Sequence, residues 1–351
     1  MPQVHAWGAA KAGAPLAPMT IERRAPGPHD VVLEVLFCGV CHSDIHQVRD
    51  EWTGGLFPMV PGHEVVGRVI ARGSAATKFE LGALAGVGCM VDSCRRCGPC
   101  HDHEEQFCEA GSALTYNGTE MDRQTPTFGG YSTQLVVSED FAVRIPDGLD
   151  PAAAAPLLCA GITTYSPLRQ WKVKAGDRVG VIGLGGLGHM AVKLAVSMGA
   201  AVTVFSTSAG KEADARRLGA TGFVVSTPEA LGALAGRFDF LLDTVSAEHD
   251  YNAFLNLLRP RGAMVLVGAP ATAAPVHPFS LIMGSRILAG SAIGGIAETQ
   301  EMLDHCAAHG IVSDIELIPI EQINAAYERV LKSDVRYRFV IDVSTLRDPA
   351  A

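Results

Sequence analysis

Residues 179–198 read VGVIGLGGLGHMAVKLAVSM, and this stretch decides the fold of the second half of the chain. A short β-branched run, VGVI, is followed by Gly183-Leu184-Gly185-Gly186-Leu187-Gly188, a G-x-G-x-x-G. Beyond it Leu187, Met190, Ala191, Leu194, Ala195 and Met198 recur at i, i+3, i+4, i+7, i+8 and i+11, one apolar face of a helix. Strand, glycine loop and helix in that order form a dinucleotide-binding fingerprint. The first glycine permits a tight turn, the second lets the backbone approach a pyrophosphate, and the third lets helix and strand pack closely. The anion then sits at the helix N-terminus.

Outward from this loop the same texture continues. Short apolar runs at 201–205, 238–242 and 263–267 alternate with helical stretches, which predicts a parallel sheet with crossover helices. Before residue 150 the texture differs. Runs such as VVLEVLF and YSTQLVV lie among glycines and prolines, which predicts irregular, mostly β structure. After residue 293 two helical segments, around 298–309 and 323–331, precede a closing strand YRFVIDV that is expected to rejoin the first half.

Composition sets the outer bounds. At 351 residues the chain has material for about two domains. A net charge of −9, with 19% charged and 48% hydrophobic residues, excludes a disordered chain and gives no basic surface for nucleic acid. The opening MPQVHAWGAA lacks a basic region followed by an apolar one, so a cytoplasmic protein is expected. The long uncharged stretch 262–285 contains Pro270, Pro275 and Pro278, so no membrane span is expected. Nine cysteines then point to metal rather than to a disulfide scaffold.

Cys94, Cys97, Cys100 and Cys108 have the spacing C-x2-C-x2-C-x7-C. Four thiolates on short turns make a closed tetrahedral zinc cage, with zinc–sulfur distances of about 2.3 Å. A ferredoxin-type cluster would instead end in C-x3-C-P. A second set is more scattered: Cys41 in GVCHSDIH, and His63 with Glu64 in PGHEVVG, could share one ion, and Cys159 in PLLCAGITTY could complete it. Singly, each also reads as an ordinary core side chain. Ser43, Asp44 and His46 follow the first ligand and suit a proton relay and support of the ligands, or alternatively a plain turn. Cys38, Cys89 and Cys306 read as small buried hydrophobes.

About 20 residues after the first glycine, an NAD-selective site presents a carboxylate to the adenosine ribose. This chain offers Phe205, Ser206, Thr207 and Ser208, then Lys211, which favours NADP(H).

Taken together, GVCHSDIHQV, PMVPGHEVVGRV, VGCMVDSCRRCGPC with Cys108, FGGYSTQLVV, PLLCAGITTY, GLGGLGHMAVKLA, SAIGG with ETQEML, and YRFVID resemble the zinc-dependent medium-chain alcohol dehydrogenases. The details are similar to the cinnamyl alcohol dehydrogenase branch and its bacterial aldehyde reductase relatives, and the resemblance covers nearly the whole chain. It implies an α/β protein with a GroES-like, mostly β catalytic domain (1–157 and 294–351) and a doubly wound Rossmann domain (158–293), with the active cleft where they meet. It implies two zinc ions, one catalytic on Cys41, His63 and Cys159 with Glu64 able to exchange in, and one structural on the four clustered cysteines. Ser43 matches the residue bonding the substrate oxygen, His46 the exit of the proton, Asp44 a partner near the zinc, and His42 a cofactor contact. Thr163, Gly183–Gly188, Ser206–Lys211, Thr244, Gly268, Ser291, Ala292 and Ile293 match the dinucleotide site. Aldehyde or alcohol substrates and a homodimer continuing the sheet past Ile287–Ile293 are also implied.

Two departures stand out: Leu114 replaces a tryptophan before the TYN-like turn, implying a different or broader pocket, and Leu81–Gly86 replaces a Gly-Asp turn. The readings competing with this one are a zinc-free quinone or enoyl reductase of the same superfamily, a non-catalytic NADPH-binding redox sensor, and a zinc-ribbon nucleic-acid module.

Overall fold

The computed structural model describes residues 3–270 and 272–346. Chain contacts divide the protein into two units, residues 1–159 with 294–351, and residues 160–293.

The second unit is built on a six-stranded parallel sheet. Its spatial order is Gly222–Val225, Ala201–Ser206, Arg178–Ile182, Phe238–Asp243, Leu258–Leu266, Ile287–Gly290. Chain order therefore runs outward one way from Arg178–Ile182 and then outward the other way, the doubly wound Rossmann arrangement. Val181 lies level with Val204 on one side and Leu242 on the other. Both sheet faces are covered, so these strands are apolar throughout rather than alternating. The predicted helix forms over Gly188–Ser197 and buries Met190, Ala191, Leu194 and Ala195, while Leu187 and Met198 are half-buried at its ends. Phe205 meets Phe238 and Phe254 edge-on, with centroids 5.3 and 5.8 Å apart, and anchors the core on one face. The fifth strand starts earlier than its apolar run, at Leu258, because the register slips between Phe238 and Phe240 and Arg261 takes a positive φ of 65°.

The first unit centres on the ten-residue strand Asp30–Gly39. It pairs antiparallel with Val65–Arg72, with Gln134–Ser138 and with the closing strand Arg338–Asp342, where Ile341 lies opposite Cys38. Leu84–Val87 and Val143–Arg144 extend the sheet on one side, and Ile315–Pro319 pairs parallel with the closing strand on the other. Around Leu81–Gly86 a turn forms with Gly82 at φ 86°, its N–H bonded to Val69 O at 2.8 Å, so the unusual segment still leads into a regular strand. Helix Ile296–His309 ends at Gly310 in the left-handed conformation (φ 64°), an ordinary helix stop. Among the described residues no helix is long and apolar enough to cross a membrane.

Candidate active site

The strand Asp30–Gly39 delivers the chain to Cys41, which caps the helix His42–Val48. Asp44, at the third helical position, turns back and accepts the Cys41 N–H at 2.9 Å, a capping contact that fixes the cysteine relative to the helix. Asp44 is fully buried and accepts three further bonds: Gly62 N at 3.3 Å, His63 Nδ1 at 3.1 Å and the Tyr131 hydroxyl at 3.3 Å. With Nδ1–H committed to Asp44, His63 keeps Nε2 for a metal, the carboxylate–histidine arrangement of metal sites.

The ligand atoms of Cys41, His63, Glu64 and Cys159 all lie within 4.8 Å of one another, with the two sulfurs 3.9 Å apart. Glu64 is fully buried; one oxygen accepts from Arg338, whose Nε and Nη2 also donate to Val40 O at 3.2 and 2.8 Å. Its other oxygen, Oε2, has no protein partner. An orphaned buried carboxylate oxygen beside two thiols and an imidazole is a donor set that fits a zinc ion and is costly without a cation. Burial pushes the Glu64 carboxyl up to about 8, against the pull of Arg338. The hydrogen bond shared by the Cys41 and Cys159 sulfurs draws Cys41 well below the usual thiol range and raises Cys159. Burial opposes a charged His63 ring, yet Asp44 and the neighbouring thiols raise its proton affinity overall.

Ser43 Oγ stands 3.6 Å from the Cys41 sulfur. His46 Nδ1 is bonded to Glu51, and its ring stacks on Trp52 at 5.0 Å, with His42 at 5.5 Å on another side. Tyr116 stacks on His63 at 5.8 Å, while Leu114 is exposed at the end of a two-residue strand.

Cys94, Cys97, Cys100 and Cys108 also converge to within 4.8 Å. The short turn Gly98–His101 brings Cys97 and Cys100 to 3.4 Å, and Cys94 lies 3.9 Å from Cys100. The Arg96 N–H is the main cause drawing the Cys94 thiol down to about 6. Four sulfurs with no nearby carboxylate or imidazole among them fit a closed structural zinc site.

In the other unit the glycine loop leaves the central strand where the chain order of the sheet reverses, the place where such sheets bind ligands. Gly183 has φ 89°, a Cβ on Gly188 would stand 2.2 Å from Gly183 O, and a Cβ on Gly185 would meet nothing within 4 Å. Tight turn, close packing and open approach fall on the three expected positions, so the loop fits a dinucleotide pyrophosphate. Ser206 ends the neighbouring strand, Thr207 and Ser208 follow on the surface, and Lys211 Nζ donates to Leu184 O at 2.9 Å, at the loop itself. Thr244 donates to Ile182 O at 2.8 Å, Gly268 N reaches Asp243 O at 3.1 Å, and Ser291 N reaches Leu266 O at 3.1 Å. Ala292 and Ile293 follow Ser291 past the edge strand, and Thr163 lies buried in the helix Ala160–Gln170.

Residues 27–147 match the alcohol dehydrogenase GroES-like domain family, and residues 186–308 match the zinc-binding dehydrogenase family. Aldehyde reductase YahK of Escherichia coli is 54% identical over 99% of this chain and 100% of its own. The chain belongs to the zinc-binding alcohol dehydrogenases. An NADP-dependent alcohol dehydrogenase C of Mycobacterium bovis is likewise 54% identical, over 99% of this chain and 100% of its own. The cinnamyl alcohol dehydrogenase of Helicobacter pylori, solved in complex with NADP(H), superimposes with a TM-score of 0.92 at 40% identity, covering 97% of this chain and 98% of that one.

Cys89 is not the fully buried hydrophobe its sequence context suggested: it is partly exposed, and the neighbouring Cys159 thiol draws its own thiol below the usual range. Arg338, Tyr131 and Glu51 also contact candidate site residues. Only Arg338 had a signal, a lone cation inside the apolar run YRFVIDV, which has to pair with something when the strand is buried.

Proposed function

We propose that the chain is a zinc-dependent, NADP(H)-linked alcohol dehydrogenase that reduces aldehydes, aromatic and aliphatic, and runs in reverse on primary alcohols. The observation that carries this reading is the convergence of Cys41, His63, Glu64 and Cys159 in a chain that also holds a complete glycine loop. When bound, zinc supplies Lewis-acid polarisation of a carbonyl oxygen and the dinucleotide supplies the hydride.

The chain's own residues supply orientation and a proton path. Cys41, His63 and Cys159 hold the ion, Glu64 stands as the exchangeable ligand, and Asp44 holds the His63 ring in the tautomer that leaves Nε2 free. Ser43, next to the first ligand, hydrogen-bonds the substrate oxygen and provides the proton it needs on reduction. His46, oriented by Glu51, connects that hydroxyl to solvent. His42, Thr163, Thr244, Gly268 and Ser291–Ile293 contact the dinucleotide. Gly183–Gly188 take its pyrophosphate, and Ser206, Thr207, Ser208 and Lys211 bind the 2′-phosphate where an NAD site would carry a carboxylate. The Cys94 cluster holds a structural zinc that stiffens its loop.

We also infer a homodimer. The edge strand Ile287–Gly290 has an open side, and Ile287, Phe279, Ile282 and Met283 beside it are exposed at 46, 60, 63 and 77%. Such an apolar edge calls for a partner, and a second copy continuing the sheet would cover it. Unpaired cysteines in this number persist most readily in a reducing compartment, which supports a cytoplasmic location.

The test is the initial rate of NADPH and of NADH oxidation with cinnamaldehyde or benzaldehyde, before and after zinc removal by a chelator. Rapid zinc-dependent consumption of NADPH, with little from NADH, is expected. An NADH preference would overturn the role of Ser206–Lys211, and cofactor binding with no turnover on any aldehyde would favour a non-catalytic sensor.

A further inference from the structure

Beside the glycine loop lies a histidine that the reaction does not use. Asp243 ends the strand Phe238–Asp243 and is 1% exposed. Its main-chain oxygen accepts Val267 N at 2.9 Å and Gly268 N at 3.1 Å, and its Oδ1 accepts Val245 N at 3.0 Å. Its Oδ2 lies 2.8 Å from His249 Nε2. The other nitrogen of the same ring, Nδ1, lies 2.8 Å from Ala247 O. Both partners are acceptors only, so both ring nitrogens need hydrogens. A neutral imidazole carries one hydrogen and would turn a lone pair on one of these oxygens.

The segment that this ring closes is the wall of the dinucleotide crevice. A Cβ on Gly183 would meet Val245 Cγ2 at 2.8 Å and Thr244 Oγ1 at 3.0 Å, and a Cβ on Gly268 would meet Val245 O at 2.4 Å. Thr244–Val245 is thus wedged between the first glycine of the loop and the Gly268 turn, and His249 ties the chain after it back onto Asp243.

We propose that His249, as the imidazolium bridging Asp243 and Ala247 O, is a positioning residue for the dinucleotide site, holding Thr244–Val245 against the glycine loop. This rests on the reading of that crevice as an NADP(H) site. The groups facing the ring are the Asp243 carboxylate, the neighbouring Asp250 carboxylate, and the rings of Tyr251 and Phe254 at 4.9 and 5.7 Å. Burial lowers the proton affinity of His249, but the bonds to Asp243 and Ala247 O outweigh it and raise it overall. A raised value means that the contribution is complete below the ordinary imidazole range and is lost as pH rises through the elevated value. Dinucleotide binding should therefore weaken on the alkaline side while turnover at saturating cofactor does not.

The experiment uses the zinc-loaded full chain. The His249 ring is followed by NMR against pH without cofactor, and Kd for NADPH and NADH is measured from about pH 6 to about pH 9 in the wild type and in His249→Gln and His249→Phe. The 2′-phosphate titrates near about pH 6, and comparing variants at each pH cancels it. Expected results are a His249 titration above the ordinary imidazole range and a wild-type Kd that rises severalfold across it. Gln, which donates one bond without titrating, should lack that rise, so that the ratio of wild-type to Gln Kd climbs with pH, and Phe should bind more weakly than wild type at the acidic end, both with kcat nearly unchanged. An ordinary His249 titration, or a Kd profile that is the same in wild type and His249→Gln, would overturn the proposal alone. Binding of neither dinucleotide at any pH would overturn the reading of the crevice and the proposal with it.

Discussion

The two metal clusters of the first unit are built in opposite ways. Cys94, Cys97, Cys100 and Cys108 come from one loop, two of them half-exposed, and are supported by local contacts such as the Cys94 N–H to the Cys108 sulfur at 3.4 Å and the Cys100 sulfur to Ser93 Oγ at 3.2 Å. Cys41 and Cys159 lie 118 positions apart, and their cluster is surrounded by buried charge: Asp44, Glu64 and Arg338, none more than 5% exposed. A loop can bring four thiols together through its own turns, whereas a cluster gathered from distant segments needs the whole sheet and a set of supporting side chains. The closed cluster should therefore serve stability and the supported one chemistry.

The most forceful test of that division is the pair Cys159→Ala and Cys100→Ala. Each should leave one zinc per chain by elemental analysis. Cys159→Ala should lose several kcal/mol of transition-state stabilisation, about a thousandfold or more in turnover, with its melting temperature little changed. Cys100→Ala should show the reverse, a marked fall in melting temperature with near-normal kcat per folded molecule, because structural zinc contributes directly to folding. If Cys100→Ala instead abolished turnover without loss of stability, the contrast between the clusters would collapse.

Next in size is Arg338→Met, which leaves the Glu64 carboxylate buried without its guanidinium. Removing one member of a buried pair costs about 3–5 kcal/mol. Burial already holds the Glu64 carboxyl up at about 8, so in metal-free protein a proton can replace the lost cation and the loss should fall at the lower end. Urea unfolding with and without zinc measures both values. A loss below about 1 kcal/mol in both states would mean that the pair is energetically idle.

Asp44→Asn comes third, keeping the shape but replacing the carboxylate that orients His63. Loss of such a partner lowers metal affinity by about 10- to 100-fold. Competition with a chelating dye should show weakening at one site only, with the Cys94 cluster unchanged. Weakening at both sites would mean that the substitution disturbs the unit as a whole.

How much of this was legible in the sequence follows the same contrast. The Cys94 cluster, the glycine loop and the helix after it are local patterns, in which spacing along the chain dictates spacing in space. The parallel sheet was legible because strands buried on both faces are apolar throughout, although Gly222–Val225 was not marked as a strand; its residues are only partly buried or exposed. The ligand set of the buried cluster followed from the resemblance rather than from spacing. Of its supports, Asp44 followed with it, whereas Tyr131 and the partner of Arg338 did not. Tyr131 reaches Asp44 from a sequence distance of 87, and Arg338 reaches Glu64 from 274. Contacts of that kind are created by sheet pairing and leave no periodicity behind. Cys89 departs from expectation for a related reason: an apolar neighbourhood in sequence does not say how far the fold leaves a thiol open, and this one is only half-buried.

The finest distinction concerns Tyr131. Its ring is fully buried, and its hydroxyl is one of four donors to Asp44, at 3.3 Å one of the longer contacts. Tyr131→Phe keeps the packing and removes a single hydrogen bond, worth about 0.5–1.5 kcal/mol. Cys41 N, Gly62 N and His63 Nδ1 still hold the carboxylate, so metal affinity should fall only a few-fold and the melting temperature should barely move. If Tyr131→Phe weakened zinc as much as Asp44→Asn, the three remaining donors would be insufficient. The orientation of His63 would then depend on the 128–132 segment as well as on the helix that carries Asp44, and the support of the buried cluster would extend one layer further into the sheet.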